Sequence, residues 1–201
     1  MASEGLEKPE VVGVEQVEVT TRSNDWIIPI LRLLAFFAML SATLVMALNK
    51  QKKTLVVATV GTTPIQVTLT AKFQHTPAFV FFVIVNAGGS LHNLLMLIVN
   101  FMGHKFDYKG LRPLAIAVLD MMNVAFVSGG ASAAAFMGQL GRDGNSHARW
   151  NKICDKFDSF CDRGSGAMLA SFIGLGLMII INIISINKLR NHKLVNSSMV
   201  P

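Results

Sequence analysis

Charged side chains are scarce in this sequence. Only 15% of the 201 residues are charged and tyrosine occurs once, whereas a soluble domain usually carries about a quarter charged residues. The sequence also lacks a glycine-rich phosphate loop and the motifs HExxH, GxSxG and CxxC, and acidic residues are few beyond the N-terminal tail. These shortages argue against a soluble enzyme. They predict a non-enzymatic protein without a cofactor, with lipid as its solvent.

Hydrophobic residues make up 52% of the chain and concentrate in four long apolar segments. Crossing a hydrocarbon core of ~30 Å takes about 20 helical residues, so each segment is long enough to span a membrane. The sequence therefore predicts an all-α membrane fold, a four-transmembrane-helix bundle within residues 26–190. Its helices are expected at about residues 26–48, 78–102, 114–137 and 166–186.

The segments that flank the bundle are polar. Residues 1–25 are rich in glutamate and too polar to bury a core, which predicts a disordered cytosolic tail, and residues 191–201 are expected to form a second cytosolic tail. The net charge of +6 comes from short basic clusters beside the apolar segments rather than from one stripe. This distribution favours membrane lipid as a partner and argues against nucleic-acid binding.

The two cysteines decide the orientation. Basic residues are about equally frequent on the two sides of the four spans, so the positive-inside rule does not show which side is cytosolic. Cys154 and Cys161 both lie in the third loop, residues 138–165. Paired cysteines favour an oxidising compartment, so this loop is expected outside and both termini in the cytosol. A metal site is the weaker interpretation, because His147 alone does not complete a zinc ligand set.

The first loop, residues 49–76, has the pattern of a β-hairpin. Residues 65–72 alternate apolar and polar side chains, residues 54–60 are rich in β-branched side chains, and the sequence GTTP at 61–64 separates the two runs. Because an isolated hairpin is marginal in water, this small extracellular β-hairpin is expected to pack on the third loop or on a partner.

One charge of each sign lies inside the apolar segments. Arg32 in the first segment and Asp120 in the third are ~9 Å in from the same membrane face, at ~1.5 Å per helical residue. Since a lone charge at this depth is costly, the two are expected to form a salt bridge inside the bundle. His92, Asn93 and Asn123 lie at a comparable depth. This polar layer is either a set of interhelical links, the favoured interpretation, or part of an ion or proton path.

Small residues recur at every fourth position in the third and fourth segments, and Gly88 and Gly89 interrupt the second. Such ridges let helices approach closely, either within one bundle or between copies of the chain. The glycine pair in the second segment could alternatively line a substrate site. The two ridges consist of Gly130, Ala134 and Gly138, and of Gly166, Ala170 and Gly174.

The spacing of Trp150, Cys154, Phe157 and Cys161 places them on one face if the third loop is helical. A continuous helix would hold the two cysteines ~10.5 Å apart, beyond the ~7 Å limit between the Cα atoms of a disulfide. The favoured prediction is a Cys154–Cys161 disulfide with a bend near residues 158–159, together with an exposed aromatic face at Trp150 and Phe157. A straight amphipathic helix with two free thiols is the alternative.

These features together resemble the plant Casparian strip membrane proteins and their relatives, a four-span family related to the MARVEL-type proteins. The resemblance rests on Arg32 in the first span, on Asp120 in the third, on the loop motif W-x3-C-x2-F-x2-F-C at 150–161, and on the sequence of residues 166–189. It implies a plasma-membrane protein that forms homomers and heteromers with related four-span proteins and organises local cell-wall modification.

The first loop departs from the strip-forming members of that family, which carry an acidic, phenylalanine-rich stretch there. Here residues 49–76 are basic and rich in threonine, and Phe73 is their only phenylalanine. The sequence therefore predicts a broader relative that acts as a self-associating membrane scaffold. The alternative function is a small transporter or channel that uses the layer of Arg32, Asp120 and His92.

Overall fold

The computed structural model describes residues 26–60, 63–102 and 111–198. The tail at residues 1–25, which the sequence predicts to be disordered, lies outside the described residues. The described chain forms helix α1 (Ile27–Leu48), strands β1 (Lys50–Val60) and β2 (Thr63–Lys72), a 3-10 turn (Phe73–His75), and helices α2 (Pro77–Met102), α3 (Leu111–Asp143) and α4 (Asp158–Ser198).

Each of the four helices contains a segment long and apolar enough to cross a membrane, which confirms the predicted fold class. The third and fourth helices are longer than the apolar segments that predict them. α3 continues past residue 137 to Asp143, and α4 begins at Asp158 and continues through residues 191–198. The extra turns carry polar residues, because helical hydrogen bonding can continue in the headgroup region and in water, where apolar side chains are no longer required. The third loop is therefore only residues 144–157.

The four helices form a closed ring in chain order. α1 packs against α2 and α4, and α3 packs against the same two helices, so α1 and α3 lie across the diagonal. The outer faces expose large apolar side chains such as Phe37, Phe126 and Ile173, as expected for a surface that contacts lipid. Two buried clusters fill the interior: Ala35, Met39, Val127, Leu175, Met178 and Ile181, and then Ala42, Met46, Phe82, Ala131, Ala134 and Ala167.

The two small-residue ridges are used mainly inside this bundle. A Cβ added at Gly130 would overlap the Val85 side chain, and one added at Gly174 would lie 2.9 Å from Met39 Cγ. Gly138 faces Met168, Ala134 is fully buried, and Ala170 packs against the second core cluster. Gly166 has no neighbouring atom within 4 Å of a Cβ position. Neither ridge is therefore left as a whole for contact with a second copy.

Strands β1 and β2 form the predicted hairpin. They pair antiparallel, with Lys50 opposite Lys72 at the base and a bulge between Val56 and Ala58. Leu55 and Val67 are a cross-strand pair, so Leu55, Val67 and Leu69 share one face of the hairpin. This arrangement follows from the period of two in the sequence.

The base of the hairpin packs on the start of α4. Gln51 Nε2 donates a hydrogen bond to Asp158 Oδ1 at 3.1 Å, and the Phe160 amide donates to Gln51 Oε1 at 2.8 Å. Asn49 Nδ2 donates to the Phe160 carbonyl at 2.7 Å. These bonds hold the first loop against the start of α4, and so provide the packing that a marginally stable hairpin requires.

Candidate functional site

A buried ion pair joins the first and third helices. Arg32 Nη1 lies 2.9 Å from Asp120 Oδ1, and Arg32 Nη2 lies 2.5 Å from Asp120 Oδ2. The two side chains are 5% and 0% exposed. Because α1 and α3 lie across the diagonal of the ring, this two-point contact passes through the centre of the bundle and fixes the distance and rotation of both helices.

The second helix also binds the same carboxylate. His92 Nε2 lies 2.7 Å from Asp120 Oδ1. An ionised carboxylate only accepts hydrogen bonds, so the geometry corresponds to the His92 tautomer that donates its Nε2–H to Asp120. Asp120 therefore receives donors from α1 and α2 at once, and three helices meet at one side chain. This cluster of Arg32, His92 and Asp120, called here the charge cluster, is the candidate functional site.

The other two members of the expected polar layer, Asn93 and Asn123, form no hydrogen bond with Asp120 in the described part of the chain. Asn93 Nδ2 donates to the Gly89 carbonyl at 2.9 Å and lies 3.9 Å from Met39 Sδ. Asn123 Nδ2 is buried without a hydrogen-bond partner in the described part of the chain, and so is Asn93 Oδ1. Adjacent helical residues point about 100° apart, so His92 and Asn93 cannot both reach the same carboxylate. The expected polar layer therefore consists of the hydrogen-bonded charge cluster and of Asn93 and Asn123, which are not part of it.

A second polar contact between helices was not recognised in the sequence. Ser171 Oγ in α4 donates to Asn86 Oδ1 in α2 at 2.8 Å, across the other diagonal of the ring, and Asn86 Nδ2 donates to the Phe82 carbonyl at 2.9 Å. Asn86 and Ser171 are both fully buried. In the sequence, this contact is indicated only by an asparagine and a serine in the middle of two apolar segments. Each of these side chains needs a hydrogen-bond partner in the membrane.

The third loop contains the predicted disulfide. Cys154 and Cys161 are bridged, with their Cα atoms 5.7 Å apart. α4 begins at Asp158, between the two cysteines, so the chain changes direction where the sequence predicts a bend. Upstream of the bridge, Asn145 and Trp150 form an isolated antiparallel pair instead of a helical turn.

The expected aromatic face of this loop is absent, which corrects the sequence prediction. Trp150 is 56% exposed, but Phe157 is only 7% exposed. Residues 144–157 do not form a helix, so the helical spacing of Trp150 and Phe157 does not place them on a common face. Of these two aromatic side chains, only Trp150 is therefore exposed to solvent or lipid.

Two clefts lie near these groups. A cleft of about 1200 Å³ separates the hairpin from the third loop, and its lining includes Lys72, Phe79, Trp150 and Phe160. None of the three residues of the charge cluster lines it. A groove of about 450 Å³ lies between α2 and α3; it has His92 and Asn123 among its lining residues. The rest of this groove is apolar, with Phe81, Ile84, Gly88, Leu119 and Phe126 among its residues.

Comparison with known proteins identifies the family. The model of the Casparian strip membrane protein domain matches residues 21–177. CASP-like protein 1B2 of Populus trichocarpa is 62% identical over 94% of this chain and 94% of its own length. CASP-like protein 1B2 of Vitis vinifera is 59% identical over 96% of each chain. No solved structure matches. The chain therefore belongs to the Casparian strip membrane protein family.

Proposed function

We propose that this protein is a non-enzymatic scaffold that associates laterally with itself and with related four-span proteins, and so organises a domain of the plasma membrane. The observation that carries the proposal is the closed state of the charge cluster. Arg32 and Asp120 are bonded to each other at two points, His92 completes the site, and the two charged side chains are almost fully buried. Such a cluster holds helices α1, α2 and α3 together inside the bundle.

A transport path requires water or an open site at the charged groups. The larger cleft does not include any of the three residues, and the groove that includes His92 has mainly apolar walls. Both oxygens of the Asp120 carboxylate already accept hydrogen bonds, Oδ1 from Arg32 and His92 and Oδ2 from Arg32. These features support a scaffold over a small transporter or channel. The matching family model carries the name of the Casparian strip membrane proteins, and resemblance to that family is the reason for proposing a membrane-organising role with local cell-wall modification as its setting.

Lateral contact needs a surface outside the bundle, and the glycines that face outward suggest where it lies. Gly88 in α2 and Gly176 in α4 are exposed, and a Cβ on either would meet no atom within 4 Å. Glycine inside a helix costs about 1 kcal/mol relative to alanine, and packing within this bundle does not require it at either position. Exposed glycines allow a helix of another copy to approach closely.

We expect Gly176→Leu to shift the protein from oligomer towards folded monomer, because the larger side chain prevents close approach without touching the bundle. Native nanodiscs cut directly from membranes, followed by size measurement, would report the change. Gly174→Leu is the matched control in the same helix. Its side chain would clash with Met39, and it should reduce folded protein instead. If Gly88→Leu and Gly176→Leu both leave the oligomer unchanged, these surfaces do not mediate association.

The proposed orientation places the third loop outside the cell, and the disulfide provides the test. We expect that a membrane-impermeant reductant followed by an impermeant maleimide labels Cys154 and Cys161 on intact cells, since the chain has no other cysteine. Maleimide without reductant should label neither residue. Labelling that appears only after the cells are permeabilised would place both termini outside, and labelling without reductant would show that the bridge is absent.

A further inference from the structure

Three lysines share one face at the base of the hairpin. In the β1–β2 register Lys50 lies directly opposite Lys72, and the next pair on the same face is Lys52 opposite Thr70. Directly opposed residues hold their Cβ atoms ~5 Å apart, and like charges in this position destabilise a hairpin. The group of Lys50, Lys52 and Lys72 is called here the lysine face.

The lysine face has no compensating acid in the described part of the chain. None of its ammonium groups lies within 4 Å of a carboxylate there, whereas Lys53 on the other face of the hairpin lies 3.8 Å from Asp158 Oδ1. The lysine face continues with hydroxyl groups, because Thr54 and Thr68 lie opposite each other with their Oγ1 atoms 3.1 Å apart. It therefore offers several donors and three positive charges, which together suit an anion.

The position of the lysine face identifies the kind of anion. Lys50 follows closely on Leu48, where α1 ends, and only the short 3-10 turn and Thr76 separate Lys72 from α2. Because α1 and α2 are membrane spans, these ammonium groups lie near the level of the lipid headgroups, on whichever side of the membrane the hairpin is placed. Lysines at this level are attracted to anionic lipid.

We propose that Lys50, Lys52 and Lys72 bind the phosphate of an anionic lipid headgroup. The bound phosphate relieves the repulsion between Lys50 and Lys72 and holds the hairpin base against the membrane surface. The site is independent of self-association, so either can fail without the other. A soluble phosphate ion has the same chemistry, and the experiment must separate the two sources.

The test is native mass spectrometry of the full-length protein, released from micelles that contain equal amounts of phosphatidylglycerol and phosphatidylcholine. We expect the wild type to retain phosphatidylglycerol preferentially. Lys50→Gln/Lys52→Gln/Lys72→Gln should lower that retention on the order of fivefold for each lysine removed. The control Lys152→Gln/Lys156→Gln/Arg163→Gln removes the same charge from exposed positions in the third loop and α4 and should retain the lipid. Arginine at all three positions of the lysine face should preserve retention.

Several results would overturn the proposal. Equal retention of the two lipids by the wild type would exclude headgroup selection, and an equal loss in the control variant would show that only total charge matters. Millimolar inorganic phosphate should leave the bound phosphatidylglycerol in place. Its displacement would make a soluble anion the ligand. If the triple variant does not fold, Lys72→Gln alone should lower retention about fivefold, and no change there would contradict the site.

Discussion

Arg32→Leu and Asp120→Leu, made singly, are each expected to deplete the protein from the cell surface, while the double variant should recover much of the wild-type level. Each single change leaves an unpaired charge inside the bundle, where the two side chains are 5% and 0% exposed. Breaking a buried pair in this way costs roughly 3–5 kcal/mol, whereas replacing both partners by apolar residues is much less damaging. Surface expression and the fraction of folded protein would measure the effect.

The geometry also predicts an order for the two single variants. Arg32→Leu leaves Asp120 with the hydrogen bond from His92, whereas Asp120→Leu leaves both Arg32 and His92 without an acceptor in the cluster. Asp120→Leu should therefore be the more severe. Lys53→Leu is the control, because it breaks an ion pair whose side chains are 43% and 69% exposed and should have little effect. A double variant as poor as the sum of the two single variants would show that the charges do not act as a pair.

Gly130→Leu is expected to destabilise the folded bundle strongly, whereas Gly129→Leu at the adjacent position should be tolerated. A Cβ at Gly130 would overlap Val85 and lie 3.4 Å from Phe82 Cα, so the backbone of α2 blocks any larger side chain. The nearest atom to a Cβ at Gly129 is Phe81 Cε1, at an ordinary contact distance of 3.9 Å. Overpacking of a core typically costs 1–3 kcal/mol, and forcing two helices apart adds the loss of their shared contacts.

Thermal denaturation of the detergent-purified variants would compare the two glycines under one condition. Gly130→Ala provides a graded step, because it adds only the Cβ that overlaps Val85, and it should lower the midpoint temperature by less than leucine does. Similar midpoints for Gly129→Leu and Gly130→Leu would mean that α2 and α3 do not meet at Gly130 as described.

The contact between Arg32 and Asp120 could be predicted from the sequence, but the direction in which each membrane residue points around its helix could not. The distances of Arg32 and Asp120 from the ends of their segments predict a similar depth for both, and a charge in lipid has few alternatives to a partner of opposite sign. His92 and Asn93 are adjacent in the sequence, yet of the two only His92 forms a hydrogen bond with Asp120. Which of two neighbours faces the bundle depends on the rotation of the helix, and this is set by packing with the other helices.

For the same reason, the sequence does not show which glycines face the interior of the bundle. Gly88 and Gly89 are equivalent by spacing, but the structure places Gly89 against Met39 and leaves Gly88 open on the outer surface. The regular ridge of Gly130, Ala134 and Gly138 indicates close packing correctly. The spacing does not show whether the helix that packs on this ridge belongs to the same chain or to another copy, because that depends on the tertiary structure.

Local patterns predict the first and third loops well where only one structure satisfies them. The period of two permits a strand, and the separation of Cys154 and Cys161 permits a disulfide only if the helix is interrupted, as it is at Asp158. The aromatic face failed because the spacing of Trp150 and Phe157 has meaning only within a helix, and the helix starts after both. An apparent helical period in a short loop is weak evidence.

Subunit counting by single-molecule photobleaching tests the central claim most directly, namely that a closed four-helix bundle acts by lateral self-association. The full-length protein would carry one fluorophore and be observed at low density in native membranes. We expect several bleaching steps for each spot of the wild type and a shift towards single steps for Gly176→Leu at an unchanged surface level. Single steps for the wild type at every density would contradict the claim.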